Sequence, residues 1–315
     1  MKTELNGLIA PSVTPFNADY SINLDRIETL AAFFNNNGID GAFLCGTSGE
    51  SLALTTEERM SITSRWVEVA PKDFTVLVHV GHNSIVAAKA LAAHAQKVGA
   101  WGIGAHSPTF IKPKDADGLV DYCAQIAASA PELPFYYYHI PGLTGNSTNM
   151  IEFLEAARGK IPNLCGLKFT SPNMMEYQLC RLFDGGRYDV LFGIDSFLLC
   201  SLVLGGKGSI GGGYNYAGPL YNEIIDSFNR GDLDTAREKQ LNAMKMYQIM
   251  GRSGSSGHAG MKAIMKMLGV DCGPARPPTQ PITSEQYSKL EKGLTEIGFF
   301  EFAAKKVEPV VTPIG

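Results

Sequence analysis

The chain has 315 residues, of which 45% are hydrophobic and 18% charged, with a formal net charge of -4. That size suits either one α/β barrel with an extension or two ordinary domains. Without the basic excess that phosphate-backbone binding needs, nucleic acid is excluded as the expected partner and a small molecule is left.

No apolar run approaches the roughly 20 residues that span a bilayer, so no membrane association is expected. The stretch Met1 to Asn6 carries no apolar signal core, and a cytoplasmic location is expected. Cys45, Cys123, Cys165, Cys180, Cys200 and Cys272 show no Cys-x-x-Cys pairing, which favours core packing over redox or metal roles. Asn146-Ser147-Thr148 fits a glycosylation acceptor but, lacking a secretory signal, is read as a chance match.

Along the chain, β-rich runs fall at Leu8 to Ser12, Ala42 to Cys45, Phe74 to Val80, Gly102 to Ala105, Leu133 to Tyr138, Cys165 to Phe169, Val190 to Gly193 and Gly208 to Gly211. Helical periodicity fills the gaps. Leu24, Ile27, Leu30, Ala31 and Phe34 form one apolar face that Gly38 closes, Thr55 with Glu58 fits a capping box, and Gly99 ends a helix that starts near Ser84. Strands alternating with helices eight times over predict parallel strands closed into a (β/α)8 TIM barrel over residues 1–230. Beyond it the pattern turns helical, at Asp232 to Met250, Met261 to Leu268 and Ser284 to Phe302. This predicts a C-terminal helical extension over 231–315, with joints at Gly251 to Gly260 and Gly273 to Pro281. The methionines between Met244 and Met267 read as packing or subunit-contact residues.

Active sites of such barrels lie at the C-terminal ends of the strands. In the sixth run, period-two alternation puts Cys165, Leu167 and Phe169 on the helix-facing side and Gly166, Lys168 and Thr170 on the interior side. A lysine inside a barrel loses hydration, its pKa falls, and the neutral amine can attack a carbonyl, which is what a Schiff base requires. The same segment also fits a lysine paired to an interior carboxylate. In the fifth run Tyr136 and Tyr138 share a face, and a phenol beside an amine can shuttle a proton, although tyrosines in strands also serve as packing. His139, before Ile140 and Pro141, reads as a structural hydrogen-bonding residue. Gly46-Thr47-Ser48-Gly49-Glu50 frames two hydroxyls and a stretch of backbone N–H groups that can hold a carboxylate, or forms an ordinary capped turn. Gly206 to Gly211 satisfies G-x-G-x-x-G, but a helical run, Phe197 to Leu204, stands where a dinucleotide fingerprint needs a strand. No metal-ligand spacing is visible, and a mechanism with neither metal nor cofactor is expected.

Taken together, Gly46 to Glu50, Tyr136 to Gly145 and Gly166 to Ser171 resemble the N-acetylneuraminate lyase and dihydrodipicolinate synthase superfamily, and Phe192 to Asp195 and Tyr214 to Tyr216 extend the likeness. Tyr-Tyr-Tyr-His-Ile-Pro-x-Leu-Thr-Gly looks like the sialic acid lyase branch. The synthase branch usually has an arginine at Leu143, for a substrate carboxylate, and commonly a tyrosine at Phe110.

The resemblance implies a class I, Schiff-base aldolase acting on a keto acid or sugar acid, assembled as a homotetramer. Lys168 would be the amine and Tyr138 the proton carrier. Thr47 and Ser48 would hold the carboxylate, with Thr170, Gly193, Asp195, Ser196 and Gly212 toward the sugar end. Two departures stand out: the lyases usually have a glutamate at Ser196 and a serine at Gly212, both of which would bond a polyhydroxyl tail. They leave open another 2-keto-3-deoxy sugar acid as the substrate. A non-catalytic keto-acid sensor is the alternative of a different class.

Overall fold

A computed structural model describes residues 4–255 and 257–305; residues 1–3 of the expected signal-free start, Ser256 of the Gly/Ser joint and 306–315 of the expected extension lie outside the described residues. The β-rich runs are the eight strands β1 (Gly7–Ala10), β2 (Gly41–Leu44), β3 (Thr75–His79), β4 (Gly102–Ala105), β5 (Phe135–His139), β6 (Leu164–Phe169), β7 (Asp189–Phe192) and β8 (Gly208–Ile210). They pair in parallel in chain order and close between β8 and β1, which makes the predicted barrel.

The crossovers carry α1 (Asp25–Asn36), α2 (Thr56–Val69), α3 (Ile85–Val98), α4 (Ala116–Ala127), the single turn α5 (Pro141–Thr144), α6 (Met150–Ala157), α7 (Met174–Leu182) and α8 (Leu198–Val203), and α9 (Tyr214–Asn229) follows β8. Their starts and stops have local causes. Thr55 and Glu58 form the expected reciprocal box, Ser84 accepts from Ala87 N–H, and Gly99 ends α3 in the left-handed conformation. On α1, Ile27, Leu30, Ala31 and Phe34 are buried against the barrel, each large side chain contributing about 2 kcal/mol.

Alternation divides the apolar residues between two layers. Ile9, Phe43, Leu77, Tyr136, Tyr138, Leu191 and Ile210 fill the barrel, while Leu8, Val78, Ile103, Tyr137, Leu167 and Phe169 face the helices. Cys165 departs from the expected face. The β5–β6 register runs Phe135 to Leu164 and then Tyr136 to Gly166, so Cys165 is an extra residue and packs against the interior cluster instead. The other cysteines are buried except Cys200, which is exposed on α8, and all six are free thiols.

After the barrel come α10 (Leu233–Arg252), α11 (Gly257–Met267), α12 (Ser284–Glu296) and α13 (Phe299–Phe302). The last predicted helix is thus two, divided where Gly298 adopts φ 69°, which a continuous right-handed helix cannot contain. Met246, Met250 and Met265 are buried in the core, as packing residues are. Among the described residues no helix is long and apolar enough to cross a membrane. Asn146 is buried with its Oδ1 accepting from Thr148 N–H, which is no geometry for glycosylation.

Candidate active site at the C-terminal ends of the strands

β2 ends in a tight turn that its glycines make possible. A Cβ on Gly49 would stand 3.0 Å from the Ser12 carbonyl oxygen and 3.1 Å from Cys45 N. Thr14 Oγ1 donates to the Gly49 carbonyl at 2.7 Å, and Glu50 N–H donates to the Thr47 carbonyl at 3.0 Å. Thr47 and Ser48 project half-buried from this turn toward the barrel axis.

Tyr138 and Lys168 occupy paired positions on β5 and β6, so the ladder itself brings them side by side. Lys168 is only 4% exposed, and its Nζ lies 3.7 Å from the centre of the Tyr138 ring and 5.2 Å from that of Phe43. It donates to Thr170 Oγ1 at 3.4 Å rather than to a carboxylate, which removes the interior ion pair as an account of this lysine. Tyr138 Oη is 3.2 Å from Thr47 Oγ1, linking the β5 phenol to the turn after β2. Gly193 is required beside them: a Cβ there would lie 2.0 Å from Thr170 Oγ1.

Across the cavity, Asp195 holds the turn that follows β8. Its Oδ2 accepts from Gly213 N–H at 2.5 Å, Tyr247 Oη at 2.6 Å and Tyr221 Oη at 3.3 Å, and its Oδ1 accepts from Ser196 N–H at 3.1 Å. Burial raises the carboxyl above the usual aspartate range, and these donors oppose the rise. One cavity of about 320 Å³ is lined by Thr47, Ser48, Tyr138, Lys168, Thr170, Gly193, Asp195, Ser196 and Gly212 together. Sharing Thr47 and Ile140, a second space of about 360 Å³ leads outward past His106, Leu143, His258 and Arg276. A larger hollow, about 780 Å³, lies apart, between residues 16–26 and the C-terminal extension, and holds none of these groups.

Several participants carry no sequence signal. Tyr247 reaches the cavity from α10, within a methionine-rich stretch that resembles packing. Glu50, closing the turn, is ion-paired to Lys262 of α11 at 2.7 Å, and its Oε2 accepts from Arg276 N–H at 2.8 Å. His79 lies under the site with its Nδ1 2.9 Å from the Cys45 carbonyl and its ring tilted by 35° against that of His106, centroids 4.5 Å apart. Burial first, then the neighbouring His106 and Arg59, hold it well below the ordinary histidine range, so it is neutral. His139 does not take the hydrogen-bonding position expected of it. Its Nδ1 has no partner and its ring packs on Phe169 at 5.0 Å, with burial pushing its pKa down to about 4. Among the described residues no group of three or more His, Cys, Asp or Glu is arranged to hold a metal ion.

The chain is 35% identical over 309 residues to the N-acetylneuraminate lyase of Rattus norvegicus, covering 97% of this chain and 96% of that protein. Among solved structures, the N-acetylneuraminate lyase (sialic acid aldolase) of Aliivibrio salmonicida superposes with a TM-score of 0.91 at 39% identity, covering 95% of this chain and 98% of the other. The N-acetylneuraminate lyase of Proteus mirabilis gives 0.90 at 38%, covering 94% and 99%. Residues 4–297 match the model of the dihydrodipicolinate synthetase family. With a closed parallel barrel, a buried strand-six lysine and likeness over nearly the whole length, the chain belongs to the dihydrodipicolinate synthetase family.

Proposed function

We propose that this protein is a class I, Schiff-base-forming aldolase that reversibly cleaves N-acetylneuraminate to N-acetylmannosamine and pyruvate. The observation that carries the reading is the buried Lys168 amine, bonded to no carboxylate, lying against Tyr138, whose hydroxyl meets Thr47. Lys168, as the neutral amine, attacks the C2 carbonyl of the open-chain sugar acid, and loss of water gives a protonated imine. Thr47 and Ser48 with their backbone N–H groups hold the C1 carboxylate. Tyr138, in its phenolate form or through the substrate carboxylate, takes the proton of the C4 hydroxyl, the C3–C4 bond breaks, and its electron pair moves into the imine to form an enamine. N-acetylmannosamine leaves as the aldehyde; protonation of the enamine at C3 and hydrolysis by water release pyruvate and restore the amine. Thr170, Gly193, Asp195, Ser196 and Gly212 face the sugar end. Leu143 at the outer mouth offers no cation for a second carboxylate, which supports cleavage of a sugar acid over the synthase reaction.

We infer that the barrel, 1–230, supplies the chemistry and that the extension, 231–315, completes the far wall, a reading supported by Tyr247. The assembly is proposed to be a cytoplasmic homotetramer. Phe110 at 90%, Ile111 at 81% and Leu143 at 66% exposure form apolar surface that subunit contact would cover, and sedimentation velocity tests it. The function itself is tested by trapping. Incubation with pyruvate and borohydride, followed by peptide mapping, is expected to modify Lys168 alone and to leave Lys168→Ala unmodified. Absence of an adduct in the folded wild-type protein overturns the reading.

A further inference from the structure

At the amine end of the cavity each polar group has a task in the proposed reaction; the opposite wall is built differently. Its polar part consists of Asp195, Ser196, the backbone at Gly212 and the phenol of Tyr247. Asp195 Oδ2 is already engaged by three donors, Gly213 N–H, Tyr247 Oη and Tyr221 Oη, so this oxygen has little capacity left for a ligand. Tyr247 has a single O–H, and it donates that hydrogen to Asp195 at 2.6 Å. The phenol therefore presents only lone pairs to anything else that approaches. Beside it Gly212 leaves a notch. A Cβ there would lie 3.3 Å from Tyr247 Oη and 3.9 Å from Met261 Cε, with nothing nearer.

We infer that Tyr247 determines specificity at the distal end of the substrate: its oxygen accepts a hydrogen bond from a hydroxyl of the sugar tail, which reaches it through the notch at Gly212. The inference rests on the proposed lyase reading and deepens it. Donor and acceptor are assigned by the Asp195 contact. With the phenol hydrogen held, only a hydrogen-bond donor fits at Tyr247, and an aldehyde too short to cross from Lys168 makes no contact with it. The residue acts on binding of the tail and takes no part in imine formation.

The test compares aldol addition of pyruvate to N-acetylmannosamine and to glyceraldehyde, in the wild-type protein and in two variants. Tyr247→Phe keeps the ring and removes the acceptor. Gly212→Ala keeps the phenol bonded to Asp195 and fills the notch. In both variants the ratio of kcat/KM for N-acetylmannosamine to that for glyceraldehyde is expected to fall about tenfold, through KM, the worth of roughly one hydrogen bond. An unchanged ratio in both variants, or an equal loss with both aldehydes, overturns the assignment and leaves Asp195 anchoring as the only task of Tyr247. Trapping with pyruvate and borohydride is run alongside. A wild-type protein that forms no adduct at Lys168 fails the functional reading, whereas an adduct with an unchanged ratio fails only this inference.

Discussion

Replacing Lys262 by Met should loosen, from a distance, the turn proposed to hold the substrate carboxylate. Lys262 Nζ lies 2.7 Å from Glu50 Oε1, with the two side chains 3% and 2% exposed, donates to the Pro274 carbonyl at 2.8 Å and sits 4.3 Å from the centre of the Phe16 ring. Burial works to lower the Lys262 pKa and Glu50 to raise it, burial being the larger effect. Removing one member of such a pair leaves the other charge desolvated and costs about 3–5 kcal/mol, a large part of the roughly 5–15 kcal/mol that holds a domain folded. In a chain of this size that corresponds to a fall in melting temperature on the order of 10 °C. Because Glu50 N–H bonds the Thr47 carbonyl, KM for pyruvate should rise as well. The double variant Glu50→Gln with Lys262→Met removes both charges and should recover much of the loss. The assays are thermal and urea unfolding with pyruvate kinetics on the three proteins. Wild-type stability in Lys262→Met, or equal destabilisation of the single and double variants, would refute the argument that an uncompensated buried carboxylate is the source of the cost.

Tyr138→Phe should lower kcat for cleavage by roughly 10²–10⁴ while pyruvate remains trappable on Lys168, since in the proposed reaction Tyr138 moves a proton and the amine forms the imine. Cleavage within tenfold of wild type would assign the proton to another acceptor. His139, neutral in the fold with its pKa pushed down to about 4 by burial, binds a proton more readily when unfolded. Its contribution is therefore present above about pH 6.5 and is lost as the pH falls toward 4, by on the order of 3 kcal/mol. His139→Phe should flatten this acid limb in urea unfolding measured at pH 7 and pH 5; parallel losses in the two proteins would remove His139 as its source.

The amine end of the site was legible because strand alternation is a simple period: counting by two from Gly166 puts Lys168 and Thr170 on the interior side, and from Tyr136 it puts Tyr138 there. The same count failed at Cys165, because a bulge inserts one residue and local sequence does not announce it. The bulge adjoins a place without space, where a Cβ on Gly166 would come 1.7 Å from the Asp189 carbonyl oxygen. Glu50, Lys262, Arg276 and Tyr247 were illegible for another reason. Their contacts join parts of the chain that only the closed barrel brings together, and a buried lysine or a tyrosine on a methionine-rich helix has the same local appearance as an exposed or packing one. The break at Gly298 was missed because the helical period on either side of it masks a single glycine.

The two ends of the cavity are held by different kinds of structure, and that difference bears on how substrate scope and chemistry separate. Tyr138 and Lys168 belong to strands paired on both sides in a closed sheet, so moving either would disturb ladders around the barrel. Thr47 is tied to the same frame through Tyr138 and the β2 turn. Asp195, Ser196, Gly212 and Tyr247 sit beyond the strand ends, on turns and on α10, where Ser196 N–H, Gly213 N–H and the Tyr247 hydroxyl donate to the single carboxylate of Asp195. A side-chain change at 196 or 212 alters what the far wall offers a ligand without breaking any strand pairing. Serine and glycine at these positions are therefore compatible with an intact amine end, and on the proposed reading the sugar acid that fits is decided by the distal wall rather than by Lys168.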